Sequence, residues 1–428
     1  MGLSPLPDEE AKRDNMTRDF HDEDNLEPQE KWRPHPESET EPEPQHPGWL
    51  TLAQVFKTTA PFWEKFLFLL AYDYSCNVYL IQGDYLTIVD PGNDYTGFME
   101  LFKRGYRAED IKKIVLTHGH RDHCMGAFEL LRAYPKLAKS GGFELILHPD
   151  SPAELKEVVK KCGCRVTEVK GGETLKLSGL EWEVIYTPGH TIDGLSFYHA
   201  PSKTAFTGDM AMPHAMAEPD QNAGGRLDHY LYGVKTMLKK DIEHVLPGHG
   251  FPIAELGRTV IEQTYESLLM KIIGAGPKTP WVSGAMALAQ KGLLEEAVFC
   301  CDKALAHNPQ NPRALQLKGS CLTDLGRCQE AVEVLDQLLA QDQNNPHALT
   351  AKGHALLGSG NYTESINYFD GALKINPGIK EALVYKGMAL YLSGKFEEAL
   401  DIEIFKHEFT SRFKQELVKG AGTPASSS

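Results

Sequence analysis

The stretch LTHGHRDHCMGA, residues 116–127, sets His118, His120, Asp122 and His123 within six positions, directly behind the apolar run IKKIVL (111–116). That run has the length and β-branched content of a strand ending at Thr117, and MGAFELLRAY (125–134) starts a helical pattern just beyond it, so the four side chains fall on a strand-to-helix turn. In a nearly extended His-Gly-His segment, residues two apart point the same way, and His118 and His120 can grip one ion. Asp122 and His123 follow as the chain turns and can face a second ion. Neutral imidazoles with a carboxylate form a ligand set for zinc, with iron or manganese admissible.

Three further ligand types recur in the same local context. VIYTPGH (184–190) delivers His190, AFTGD (205–209) delivers Asp209, and HVLPGH (244–249) delivers His249. Each is an apolar run followed by a turn of small residues and then a metal-ligand type. Strands ending at one sheet edge would bring these turns to one place, where loops on a rigid scaffold carry function. NVYLIQG (77–83), YLTIVDPG (85–92) and FELILHP (143–149) read as further strands, with helical spacing between several of them. Residues 49–275 are therefore expected to form an α/β sandwich.

On either side the texture changes. Residues 1–48 hold 14 Asp and Glu against 5 Lys and Arg, with many prolines and few aliphatics, and supply −9 of the chain's net −15. A segment of that composition is expected to be a disordered tail. Beyond Pro277, Gly292, Gly326, Gly360 and Gly394 succeed one another at intervals of 34 residues, as do Ala297, Ala331, Ser365 and Ala399. This self-similarity resembles the tetratricopeptide repeat: paired amphipathic helices that bury their apolar faces only by stacking. Residues 278–419 are assigned to repeats closed by a capping helix from Lys406, and 420–428 to a second disordered tail. Met286, Gln316, His354, Met388 and Tyr391 are expected along the repeat groove, facing a protein or peptide partner or a second copy of the chain.

Composition narrows the function. The acidic balance and the lack of a basic stripe disfavour nucleic acid as a partner. No run of about 18 apolar residues is present and no secretory signal is legible, so a soluble, cytoplasmic protein is expected. The eight cysteines have no disulfide or zinc-knuckle spacing and read as free thiols.

The HxHxDH element, the later His190, Asp209 and His249, and the early VDPG (89–92) together resemble the metallo-β-lactamase fold superfamily, in particular its dinuclear, glyoxalase II-like hydrolases. The resemblance covers about residues 62–255 and implies an αββα sandwich. It implies that His118, His120 and His190 hold a first metal, that Asp122, His123 and His249 hold a second, and that Asp209 bridges them. It also implies that Asp90 braces the metal-binding turn. Two divalent ions, zinc first with iron or manganese admissible, about 3.5–4 Å apart, would generate a bridging hydroxide that attacks a carbonyl, with Asp122 holding its proton. The expected substrate is a small-molecule thioester, lactone or ester. Arg226, in GGRLD (224–228), and His214 are candidates to contact substrate or support the ligands. Three alternatives stay open: a phosphodiesterase or ribonuclease at the same site, a mononuclear iron persulfide dioxygenase, and an interaction scaffold with a structural metal. Only one helix is expected between Glu255 and Ala275, where glyoxalase II enzymes carry a glutathione-reading domain.

Overall fold

The computed structural model describes residues 48–420, except 73, 140–141, 214–215 and 277–278, and the side chains only to residue 411. His214 and nearly all of the two tails thus lie outside the described residues. Seven strands form one sheet in sequence order: β1 (Leu50–Thr51), β2 (Phe66–Leu69), β3 (Val78–Gln82), β4 (Leu86–Val89), β5 (Ile111–Val115), β6 (Glu144–Leu147) and β7 (Arg165–Glu168). The first four pair antiparallel and the last four parallel. Five strands form the second sheet in the order β12-β11-β10-β9-β8: β8 (Thr174–Leu177), β9 (Leu180–Tyr186), β10 (Leu195–His199), β11 (Thr204–Gly208) and β12 (His244–Pro247).

Period-two alternation decides which side chain enters which layer. Phe66, Phe68, Tyr79, Ile81, Val115 and Ile146 face the second sheet and meet Trp182, Val184, Phe197, Phe206 and Leu246 in a core between the sheets. Their neighbours Leu67, Leu69, Val78, Leu80, Ile114 and Leu145 face the other way, onto the helices Thr96–Lys103, Arg121–Ala133 and Ala153–Lys161. The outer face of the second sheet is covered by helices Leu227–Leu238 and Gly257–Ile272. The result is the expected αββα sandwich.

Gly257–Ile272 is the single helix expected in that region, and the paired repeat helices follow it from Trp281. The glycines at 292, 326, 360 and 394 all have φ between 76° and 85°. Each turn therefore needs the left-handed conformation that glycine adopts without penalty. One ion pair repeats with the same 34-residue period, Lys318–Asp302, Lys352–Asp336 and Lys386–Asp370, tying the first helix of each later repeat to the second helix of the one before. The sandwich and the repeats share one continuous apolar core. Tyr265 meets Phe299 edge-on at 4.8 Å, and the buried Glu296 pairs with Lys235 at 2.6 Å.

Two expectations need correcting. Asp122 and His123 sit inside the first turn of the helix, which starts at Arg121 with His120 as its N-cap, so they do not lie on the preceding turn. Met388 and Tyr391 do not face an open groove: Tyr391 packs on Phe396, Phe405 and Phe409, because the closing helix Glu403–Gly420 lies across the last repeat. Met286, half exposed, does face solvent.

Candidate metal centre

Four strand ends deliver the site: β5 leads to His118 and His120, β9 to His190, β11 to Asp209 and β12 to His249. His120 Nδ1 lies 3.0 Å from both His118 Nε2 and His190 Nε2. A second group gathers Asp122, His123 and His249, with His249 Nε2 at 3.2 Å and His123 Nε2 at 3.5 Å from Asp122 Oδ2. Asp209 sits between them: Oδ2 is 3.6 Å from His190 Nε2 and 3.5 Å from His249 Nε2, and Oδ1 is 3.4 Å from His123 Nε2. All seven side chains expected from the sequence are thus brought together.

The outward-facing nitrogens complete the pattern. His118 Nδ1 faces Thr117 Oγ1 at 3.1 Å, His120 Nε2 faces Asp220 Oδ2 at 3.1 Å, and His190 Nδ1 faces the Glu218 carbonyl at 2.6 Å. His123 Nδ1 faces Asp90 Oδ2 at 2.8 Å. Carbonyl and carboxylate oxygens accept only, so the ring protons of His120, His190 and His123 sit outward and their lone pairs point inward at one another. His123 Nε2 and Asp209 Oδ1 are fully buried with no hydrogen-bond partner. Buried polar atoms are rarely left so, and convergent lone pairs beside a carboxylate are satisfied by a cation. The donor set fits two divalent ions.

Asp90 anchors the turn as expected. It is buried at the end of β4 with φ +50°, accepts from the Thr117 amide at 2.7 Å and hydroxyl at 2.6 Å, and so positions both His118 and His123. Electrostatics separate the two groups. Burial, reinforced by the neighbouring His123, pushes His118 well below its ordinary pKa, and burial lowers His190. His123 goes the other way: burial opposes its charge, but the Asp209 and Asp90 carboxylates outweigh it, and the pKa rises well above the ordinary value. Burial likewise opposes the charge of His249, and the hydrogen bond to Asp122 raises it. Asp209 is buried, yet His123 holds it far below the usual carboxylate range.

Arg226, His148 and Cys124 fall outside this cluster. Arg226 makes a bidentate pair with Asp228, at 2.9 and 2.8 Å, on the wall of a cavity of about 530 Å³ shared with Glu218 and Lys271. His148 is buried, stacks on Tyr186 and accepts from the Asp150 amide. Cys124 is a packing residue, its thiol pushed up to about 12 by burial.

Three supporting residues carry no local signal in the sequence. Asp220 reaches His120 across 100 positions. Asn77 donates to the carbonyls of Pro247 and Gly250 at 2.9 and 2.7 Å and so holds the His249 loop against the first sheet. Cys76 lies against Asp90 and His123, and burial raises its thiol to about 12, so in the metal-free site it stays protonated at neutral pH.

With this geometry in view, comparison with known proteins is direct. Residues 71–249 match the metallo-beta-lactamase superfamily, and residues 288–355 and 350–403 match tetratricopeptide repeat families. Residues 71–249 thus form a metallo-β-lactamase superfamily domain, and tetratricopeptide repeats follow it. A hydroxyacylglutathione hydrolase of Idiomarina loihiensis is 35% identical over 115 residues, which cover 27% of this chain and 38% of that one. The atrochrysone carboxyl ACP thioesterase AacuM of Aspergillus aculeatus is 24% identical, covering 42% of this chain and 52% of its own. The chain spans about half the length of most of the curated relatives it matches. Among solved structures, a metallo-beta-lactamase family protein of Thermus thermophilus aligns over 52% of this chain and 87% of its own, at 20% identity and a TM-score of 0.39.

Proposed function

We propose that the chain is a metal-dependent hydrolase of an activated carbonyl, with a thioester first and an ester or lactone next. One observation carries this reading. Seven side chains from four strand ends converge, the ring protons of His120, His190 and His123 face oxygen acceptors, and two buried inward atoms are left without any partner. His118, His120 and His190 would hold one divalent ion and Asp122, His123 and His249 the other, with Asp209 between them. When bound, such a pair polarises a carbonyl oxygen and lowers the pKa of a shared water toward neutrality. The chain's own part is positional. Asp122, a partly exposed carboxylate kept charged by its hydrogen bond to His249 against the effect of burial, is placed to hold the proton of an attacking water. Asp90 and Asp220 fix ring orientation from outside.

A thioester is favoured because relatives similar to this chain are named thioesterase or hydroxyacylglutathione hydrolase. The cavity of about 530 Å³ at Glu218, Arg226 and Lys271 is of small-molecule size. We divide the chain at 49–275 for catalysis and 278–419 for repeats, and assign the repeats to a protein partner or self-association. The test is metal content by elemental mass spectrometry on protein purified without chelators, followed by thioester hydrolysis by the parent, Asp209→Ala and His120→Ala. Two equivalents of metal and a loss of at least about 100-fold in both variants are expected. Full activity in both variants refutes the assignment, and a single iron with oxygen uptake points to persulfide oxidation instead.

A further inference from the structure

The outward nitrogens of His120 and His190 are held by neighbouring residues of one loop, the segment 218–225 between β11 and the helix Leu227–Leu238. His190 leans on a backbone carbonyl, that of Glu218, which any residue supplies. His120 leans on a side chain. Asp220 Oδ2 faces His120 Nε2 at 3.1 Å, while Asp220 Oδ1 accepts from the Asn222 amide at 2.9 Å and closes a local turn. The Asp220 amide donates to the His190 carbonyl at 2.8 Å, and the Asp220 carbonyl accepts from Gly225 at 2.7 Å, so the carboxylate's position is set by the loop backbone. His120 differs from its two partners in which nitrogen faces inward: Nδ1, where His118 and His190 present Nε2. That orientation requires the proton on Nε2, and an acceptor there is what selects it.

We propose that Asp220 is the positioning residue that locks His120 in the Nε2–H tautomer and so sets the affinity of the first metal position, a role resting on the metallo-hydrolase reading above. The two-oxygen design makes the claim sharp. In Asp220→Asn the amide can offer its oxygen either to the Asn222 N–H or to His120 Nε2–H. Its NH2 group then meets a donor at the other position. The turn can survive, but the imidazole then loses its acceptor.

The experiment is a chelator-competition titration of the full-length protein with Zn²⁺, repeated with Co²⁺ to follow its ligand-field absorption. Parent, Asp220→Asn, Gln221→Ala and Glu218→Ala are compared. The parent takes up two equivalents. In Asp220→Asn one of the two equivalents weakens by about 10- to 100-fold and its Co²⁺ spectrum shifts, while the other keeps its parental affinity. Gln221→Ala, an exposed neighbour, behaves as the parent. So does Glu218→Ala, which keeps the carbonyl that His190 uses. Parental affinity for both equivalents in Asp220→Asn overturns the inference alone. An equal loss in Glu218→Ala overturns it in favour of general loop tethering, and a parent that takes up no metal overturns the metallo-hydrolase reading with it.

Discussion

Gly248 offers a test of the metal centre that touches no ligand. It lies between β12 and His249, and a Cβ placed on it would come within 2.2 Å of Asp209 Oδ1 and 2.7 Å of His123 Cε1, the side chains that carry the two orphaned atoms. Its backbone cannot retreat, because the Gly248 amide donates to the Gly208 carbonyl at 2.8 Å and its own carbonyl accepts from Asn77 at 2.7 Å. Ordinary contact begins near 3.4 Å, so in Gly248→Ala the Asp209 carboxylate must yield by 3.4 − 2.2, or 1.2 Å. Overpacking of this kind costs about 1–3 kcal/mol. If the cost falls on the metal-bound form, it is about a 5- to 150-fold loss of metal affinity. Chelator competition with elemental analysis reads that loss, and far-UV circular dichroism confirms the fold. Gly250→Ala is the control. At φ +81° its methyl group strains the backbone by about 1–2 kcal/mol, but its nearest neighbour is Pro213 at 3.7 Å. It should melt earlier and keep its metal. Parental metal affinity in Gly248→Ala would refute the placement of Asp209 between the two ions.

Two further outcomes follow from the same geometry. In the metal-free protein the pKa values of His123 and His249 are raised above the ordinary imidazole value, whereas those of His118 and His190 are lowered. Filling both positions should therefore release protons, mainly from the second group and more at pH 6 than at pH 8, read with an indicator dye in weakly buffered solution; no release at either pH refutes this assignment of charge. Truncation after Ala275 should destabilise the sandwich, because Tyr265 loses Phe299, Met270 loses its contact near Gly284, and Lys235 loses Glu296. Re-exposing two large side chains costs about 3–6 kcal/mol, a large part of a typical domain's stability. A truncated protein that melts with the full chain would show that the shared core contributes nothing.

The seven ligand candidates were legible because each is local: an apolar strand, a small-residue turn and a ligand type within a few positions. The repeats were legible for a related reason, since one structural unit recurs every 34 residues and its turn glycine recurs with it. Contacts made across the chain were not legible. Nothing near Asp220 in EPDQNAGG distinguishes it from a solvated loop carboxylate, and Asn77 reads only as the start of a strand. The misplacement of Tyr391 has the same root. Its spacing within its own helix matches a groove position, but the closing helix that covers it begins twelve residues later and obeys no repeat period.

The two metal positions are supported unequally, and this has a chemical consequence. His123 is braced by Asp90, which is buried at a strand end and also tied to the Thr117 amide and hydroxyl. His120 and His190 are braced by the 218–225 loop, whose Asp220 side chain is about one-third exposed. The carboxylate that supports the first group is therefore more open to water and to rearrangement than the one supporting the second. That loop also lines the cavity of about 530 Å³ through Glu218, Gln221 and Gly225, and Glu218 is paired with Lys271 near the end of the helix Gly257–Ile272. This helix shares its buried face with the repeats. The loop that braces the first group is thus joined to this helix by one surface ion pair, whereas Asp90, the brace of the second group, is bonded to the Thr117 turn at the end of the first sheet.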